Sequence, residues 1–194
     1  MRQSSIPDLE LSLGQMLWAV ALGSEPSEQS RNRARYLRLL GIPRQGSEKG
    51  PGSGKRIVYD FDDLVLVGLG MLALSHGQPP RTMKEVLVVQ RSRLLRDVHQ
   101  AWLDLPADVL DDPVTISRGK SFIVYDNDFN VNLSGTGWGK ASGLDFIKIG
   151  NNPLHPVHII PGETPQVVFS LKQWMPQWVA WALRAPKRQR GRKS

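Results

Sequence analysis

Apolar residues recur at helical spacing through the first hundred positions. In 9–22, LELSLGQMLWAVAL, Leu9, Leu13, Met16, Leu17 and Val20 fall on one face, with Ser12 available as an N-cap. Gly23 and Ser24 interrupt that pattern. A second helix is predicted over 27–40, opened by Ser24, Pro26 and Ser27 and closed by Gly41 and Pro43. The stretch RQGSEKGPGSGK, 44–55, holds four glycines and one proline and reads as a loop. RIVY at 56–59 suits a short strand, so the loop and its flanks predict a hairpin, a wing. Asp60, Asp62 and Asp63 place caps and acids at the start of an apolar helix over 64–74, where Gly68 and Gly70 predict close helix contact. After HGQPP, Thr82 opens a further helix running toward Trp102, with Val86, Val89, Leu94, Val98 and Trp102 as its apolar positions.

From Val114 the pattern becomes short β-rich pieces, among them SFIVYD, FNVNL, LDFIKI and QVVFSL, separated by Gly, Pro, Asn and Asp. Near the end Trp174, Trp178 and Trp181 share a helical face, with Pro176 expected to limit that helix or to form its first turn. These patterns predict an α+β fold. It divides into a helical, winged unit over 1–104 with a following dimerisation helix, a smaller β-rich C-terminal domain over 113–183, and a disordered basic tail over 184–194.

Charge sharpens the division. The chain of 194 residues carries a formal charge of +7, and its positive charge is concentrated at the two ends. Lys and Arg outnumber Asp and Glu by 14 to 10 in 1–100 and by 6 to 0 in 184–194, whereas acids lead 8 to 5 between them. Fixed positive charge of this kind favours an anionic partner, nucleic acid first, because binding releases the counterions condensed on phosphates. The absence of cysteine excludes disulfides, thiolate metal sites and thiol redox sensing. Asp8 and Glu10 stand where a signal peptide needs a basic start, and the longest apolar run, 64–74, is about half a membrane span. The expectation is a cytoplasmic chain with no membrane partner.

Two stretches carry a family resemblance. Ala34-Arg35-Tyr36-Leu37-Arg38-Leu39-Leu40-Gly41-Ile42-Pro43 resembles the "IRYYE..GL" signature of the MerR-like winged helix-turn-helix proteins, through its Arg-Tyr pair, the glycine five residues after the tyrosine and the apolar residue that follows. Gly54-Lys55-Arg56-Ile57-Val58-Tyr59-Asp60-Phe61-Asp62-Asp63-Leu64 is similar to that family's "GYR.Y..DDL" stretch. Leu37 and Arg38 depart from the family's Tyr and acid, and Lys55 replaces the wing tyrosine. The resemblance spans roughly 11–90. It implies a sequence-specific regulator of transcription that binds double-stranded DNA as a homodimer. Helix 27–40 would enter the major groove, wing 44–59 would lie on the flanking backbone, and the helix of 82–104 would make the antiparallel contact.

The residues support the resemblance separately. At about 100° per residue Arg31, Arg35 and Arg38 fall within about 60° of one another, with Tyr36, Leu37 and Leu40 opposite. The candidate DNA-binding set is therefore Arg31, Arg33, Arg35, Arg38 and Tyr36 on the helix, Lys49, Lys55 and Arg56 in the wing, and Lys187, Arg188 and Arg190 in the tail. GPGSGKR lacks the spacing of a nucleotide-binding loop. His155 and His158 lack the further ligands that a metal needs. No nucleophile, base and orienter stand at interpretable spacing, so neither catalysis nor a cofactor is expected. Two rival readings share these observations: an architectural or recombination-directionality factor that bends DNA, and an interaction or ligand-sensing protein acting through the C-terminal domain. RNA polymerase or another protein is the candidate partner of that domain.

Overall fold

The computed structural model describes residues 5–44, 57–75, 80–111 and 171–186, together with the backbone of 122–125, 131–133, 157–158 and 166–170. Helix α1, Leu13–Val20, begins where Ser12 and Gln15 form a reciprocal cap: the Ser12 hydroxyl accepts from the Gln15 N–H, and the Gln15 carbonyl oxygen accepts from the Ser12 N–H. Leu22 and Gly23 turn the chain at positive φ, 52° and 78°. Helix α2, Glu28–Leu39, then starts at Ser27, whose hydroxyl accepts from the Ser30 N–H at 3.1 Å. The turn thus joins two capped helices. Leu11 and Tyr59 exchange two backbone hydrogen bonds of 2.9 Å, so the chain before α1 pairs with the chain that returns after the 44–56 stretch.

Helix α3, Phe61–Ser75, lies at the centre. It is apolar all round and buried on nearly every side, as a helix of that pattern must be. Its two glycines are where its neighbours come closest. A Cβ at Gly70 would meet the Leu37 side chain of α2 at 2.8 Å, and one at Gly68 would meet the Trp178 ring at 2.6 Å. Helix α4, Pro80–Lys84, passes through a π-helical turn, Glu85–Val89, into α5, Arg91–Leu103. Trp102 of α5 sets its ring edge-on to Phe61 at 5.4 Å and donates its indole N–H to the Ser5 carbonyl at 3.0 Å. Four short strands, β1 Phe122–Tyr125, β2 Val131–Leu133, β3 Val157–His158 and β4 Gln166–Ser170, pair antiparallel in the order β2-β1-β4-β3, with Ile123 opposite both Leu133 and Phe169.

The α+β class expected from the sequence, with its smaller β-rich C-terminal region, is overturned. The described residues are mostly helical. Every side chain in their core stands on a helix or on a connection next to one. The C-terminal part reaches that core as helix α6, Leu171–Arg184, which packs on α1, α3 and α5. Met175, Trp178, Val179 and Ala182 are buried there, and Trp181 meets Trp18 of α1 edge-on at 5.3 Å. Pro176 neither ends α6 nor lies in its first turn, since the helix extends on both sides of it. The sequence reading saw the helical face of Trp174, Trp178 and Trp181 but placed it, LKQWMPQW included, inside that β-rich region. Its apolar phase instead completes a helical core. Helix α6 thus packs against helices that lie within 1–104.

Candidate nucleic-acid interface

Helix α2 packs on α3 and α1. Ala34 and Leu37 are its buried residues, and together they seat it against the core. The polar remainder faces out because a helix this rich in charge has only a narrow apolar stripe to bury. Arg31, Arg35 and Arg38 are all exposed and line one groove of about 290 Å³, opposite Ser12, Gly14 and Gln15 at the start of α1. Pro186, within the 184–194 stretch expected to be disordered, lines the same groove. Arg31 is paired with Glu25 at 3.0 Å, and Arg35 donates to the Asn32 side-chain oxygen at 3.2 Å.

The structure thus brings three of the expected residues together and sets two others apart. Arg33 and Tyr36 line a different, shallow depression with Asn32 and Leu74, on the α3 side of the helix. Tyr36, expected on the core face, is half-buried and packs on the edge of the core. Lys49, Lys55 and Arg56 of the wing and Lys187, Arg188 and Arg190 of the tail lie outside the described residues.

The cluster that joins the two ends of the 45–56 stretch was missed by the sequence reading. Asp63, fully buried on the first turn of α3, receives the Arg44 guanidinium in a two-point pair, with Nε to Oδ1 at 3.0 Å and Nη2 on Oδ2. The same Nη2 donates to the Val58 carbonyl at 3.4 Å and to Asp60 at 3.3 Å. Arg91 of α5 reaches Asp63 at 3.5 Å and donates to the Pro43 carbonyl. Arg44, just before the 45–56 stretch, is thus bonded to Val58, just after it, and Asp63 joins Arg44 to α5 through Arg91. Burial pushes the Asp63 carboxyl above its ordinary value, with the Arg44 hydrogen bond pulling against that shift. The only sequence signal for this arrangement was the acidic run at 60–63, which was read as helix capping. Asp60 does cap, accepting from the Asp63 N–H at 2.9 Å.

The apolar positions of α5 are used within the chain. Leu94, Val98, Ala101 and Trp102 are buried, while Ser92, Arg93, Arg96 and Gln100 face out. The helix expected to form an antiparallel dimer contact thus presents a charged outer face. Among the described residues no helix is long and apolar enough to cross a membrane. No family model, curated protein or solved structure matches this chain.

Proposed function

We propose that the chain is a sequence-specific DNA-binding regulator of the MerR-like winged helix-turn-helix kind, with α2 in the major groove and the wing on the flanking backbone. The observation that carries this reading is the way α2 is mounted. A capped helix held by two buried residues turns three arginines outward on one side, beside the first turn of α1. Arginines so placed meet phosphates and guanine edges without disturbing the core. The clamp of Arg44 and Arg91 on Asp63 fits the same reading, because it holds together Arg44 and Val58, which bracket the lysine-bearing 45–56 stretch. The tail supplies five further cations in 187–194, which add affinity for any sequence in proportion to the phosphates they neutralise.

The test is selection of bound sequences from random DNA by the full chain. The expected result is an enriched motif whose affinity drops steeply with salt. A two-fold symmetric motif would report a pair of chains, joined through surfaces other than the apolar positions of α5. Failure to enrich any motif would end the proposal. Cutting the chain at about residue 112 is not an informative control, since it removes α6 and with it Trp178 from the core.

A further inference from the structure

Among the described residues the most exposed large apolar side chain is Leu39, at 85%, and it stands on α2. A single exposed leucine is unremarkable on most surfaces. Its position on this helix is what singles it out. At about 100° per residue the direction opposite the buried pair Ala34 and Leu37 falls between Asn32 and Leu39, with Arg35 about 40° to one side of Leu39. The part of α2 that projects furthest from the core is therefore a strip of Asn32, Arg35 and Leu39, all three exposed. Arg31 and Arg38 sit further round, toward α1.

Resting on the DNA-binding reading above, we propose that Leu39 is a specificity residue that recognises thymine through its 5-methyl group, while Asn32 and Arg35 address neighbouring base edges. The chemistry of the strip favours base edges over backbone. Leucine has neither donor nor acceptor and gains nothing from a phosphate; the one apolar feature in the major groove is the thymine methyl. Glu28, exposed one turn earlier on the same strip, repels phosphate but can accept from a cytosine amino group. Asn32 and arginine are the side chains suited to adenine and guanine, and their mutual hydrogen bond of 3.2 Å holds both on the outer face. The rise of about 1.5 Å per residue spreads Asn32 to Leu39 over roughly 10 Å, about three base-pair steps. The arginines nearer α1 are then left for the phosphates on one side.

The experiment uses the full chain and the motif it enriches. Each thymine in the motif is replaced in turn by uracil, which removes only the methyl group, and affinity is measured for the native chain and for Leu39→Ala. One replacement should weaken the native chain about three- to tenfold, the scale of one buried methyl. Leu39→Ala should bind the thymine and uracil versions of that site equally, and its melting temperature should match the native one because the side chain lies in solvent. A native chain indifferent to uracil at every position, or a Leu39→Ala variant that keeps the full preference for thymine, would overturn the proposal. A chain that enriches no motif overturns the DNA-binding reading and this one together, whereas a motif bound without regard to the methyl overturns this one alone.

Discussion

Helices α2 and α3 lie against each other, Leu37 of one over Gly70 of the other, yet they obey opposite rules. Helix α3 is buried almost end to end, so its sequence answers to volume: glycine where a ring or an isobutyl group presses in, Leu and Val elsewhere. Helix α2 buries only Ala34 and Leu37, so most of its sequence answers to what it meets in solution. The contrast teaches that residues with similar local patterns carry different meaning according to which side of the α2–α3 contact they occupy. Mutations should therefore split into those that change stability and those that change binding.

The largest effect is expected at the far side of α3. Trp178→Ala removes the ring that fills the space over Gly68 and should destabilise the chain by about 3–5 kcal/mol, read by denaturant unfolding. A cost under about 1 kcal/mol would mean that α6 is not part of the core. Next comes Gly70→Val, which drives a branched side chain into Leu37 and should cost about 1–3 kcal/mol. This variant sharpens the comparison, because displacing α2 from its seat should weaken DNA binding in step with stability. Loss of stability with unchanged affinity would show that α2 tolerates movement.

Substitution on the outer side should behave in the reverse manner. Arg31→Ala, Arg35→Ala and Arg38→Ala should each leave stability within about 0.5 kcal/mol, and a lost guanine contact should cost about 1–3 kcal/mol of binding. Equal melting curves together with equal affinities in all three would break the comparison.

The smallest effect is in the pH dependence at the junction of the two helices. Because burial raises the Asp63 carboxyl above 3.8, the folded chain holds that proton more tightly than the unfolded chain does. Its contribution to stability is thus greatest below 3.8 and declines as pH rises through the folded value. Asp63→Asn, which cannot ionise, should show a shallower decline just above that range in urea titrations at successive pH values. Parallel profiles would mean that Arg44 and Arg91 fully offset the burial.

Much of the helical scaffold was legible locally. Ser12 and Ser27 announced α1 and α2, Gly41 marked the end of α2, and the glycines of α3 signalled close neighbours without naming them. The exposed sides of Arg31, Arg35 and Arg38 followed from helical phase alone. Tyr36 did not, because phase separates two faces of a helix but cannot say how wide the buried one is. Asn32 and Leu39 were passed over for a similar reason: the sequence drew attention to charge, and only the seat at Ala34 and Leu37 shows which strip projects furthest.

What the sequence determined by itself is what depends on neighbours within a turn or two: the caps, the phase of each helix, and the gathering of positive charge at the two ends of the chain. What the tertiary structure decided depends on residues far apart in the chain. Arg44 and Asp63 are 19 positions apart, and Pro43 and Arg91 are 48 apart, yet they form one clamp. Helix α6, far along the chain from its partners, closes the core that α1, α3 and α5 begin. Local periodicity records which side of a helix wants burial. It does not record which distant segment supplies the cover, because any apolar face of fitting volume satisfies the same hydrophobic demand.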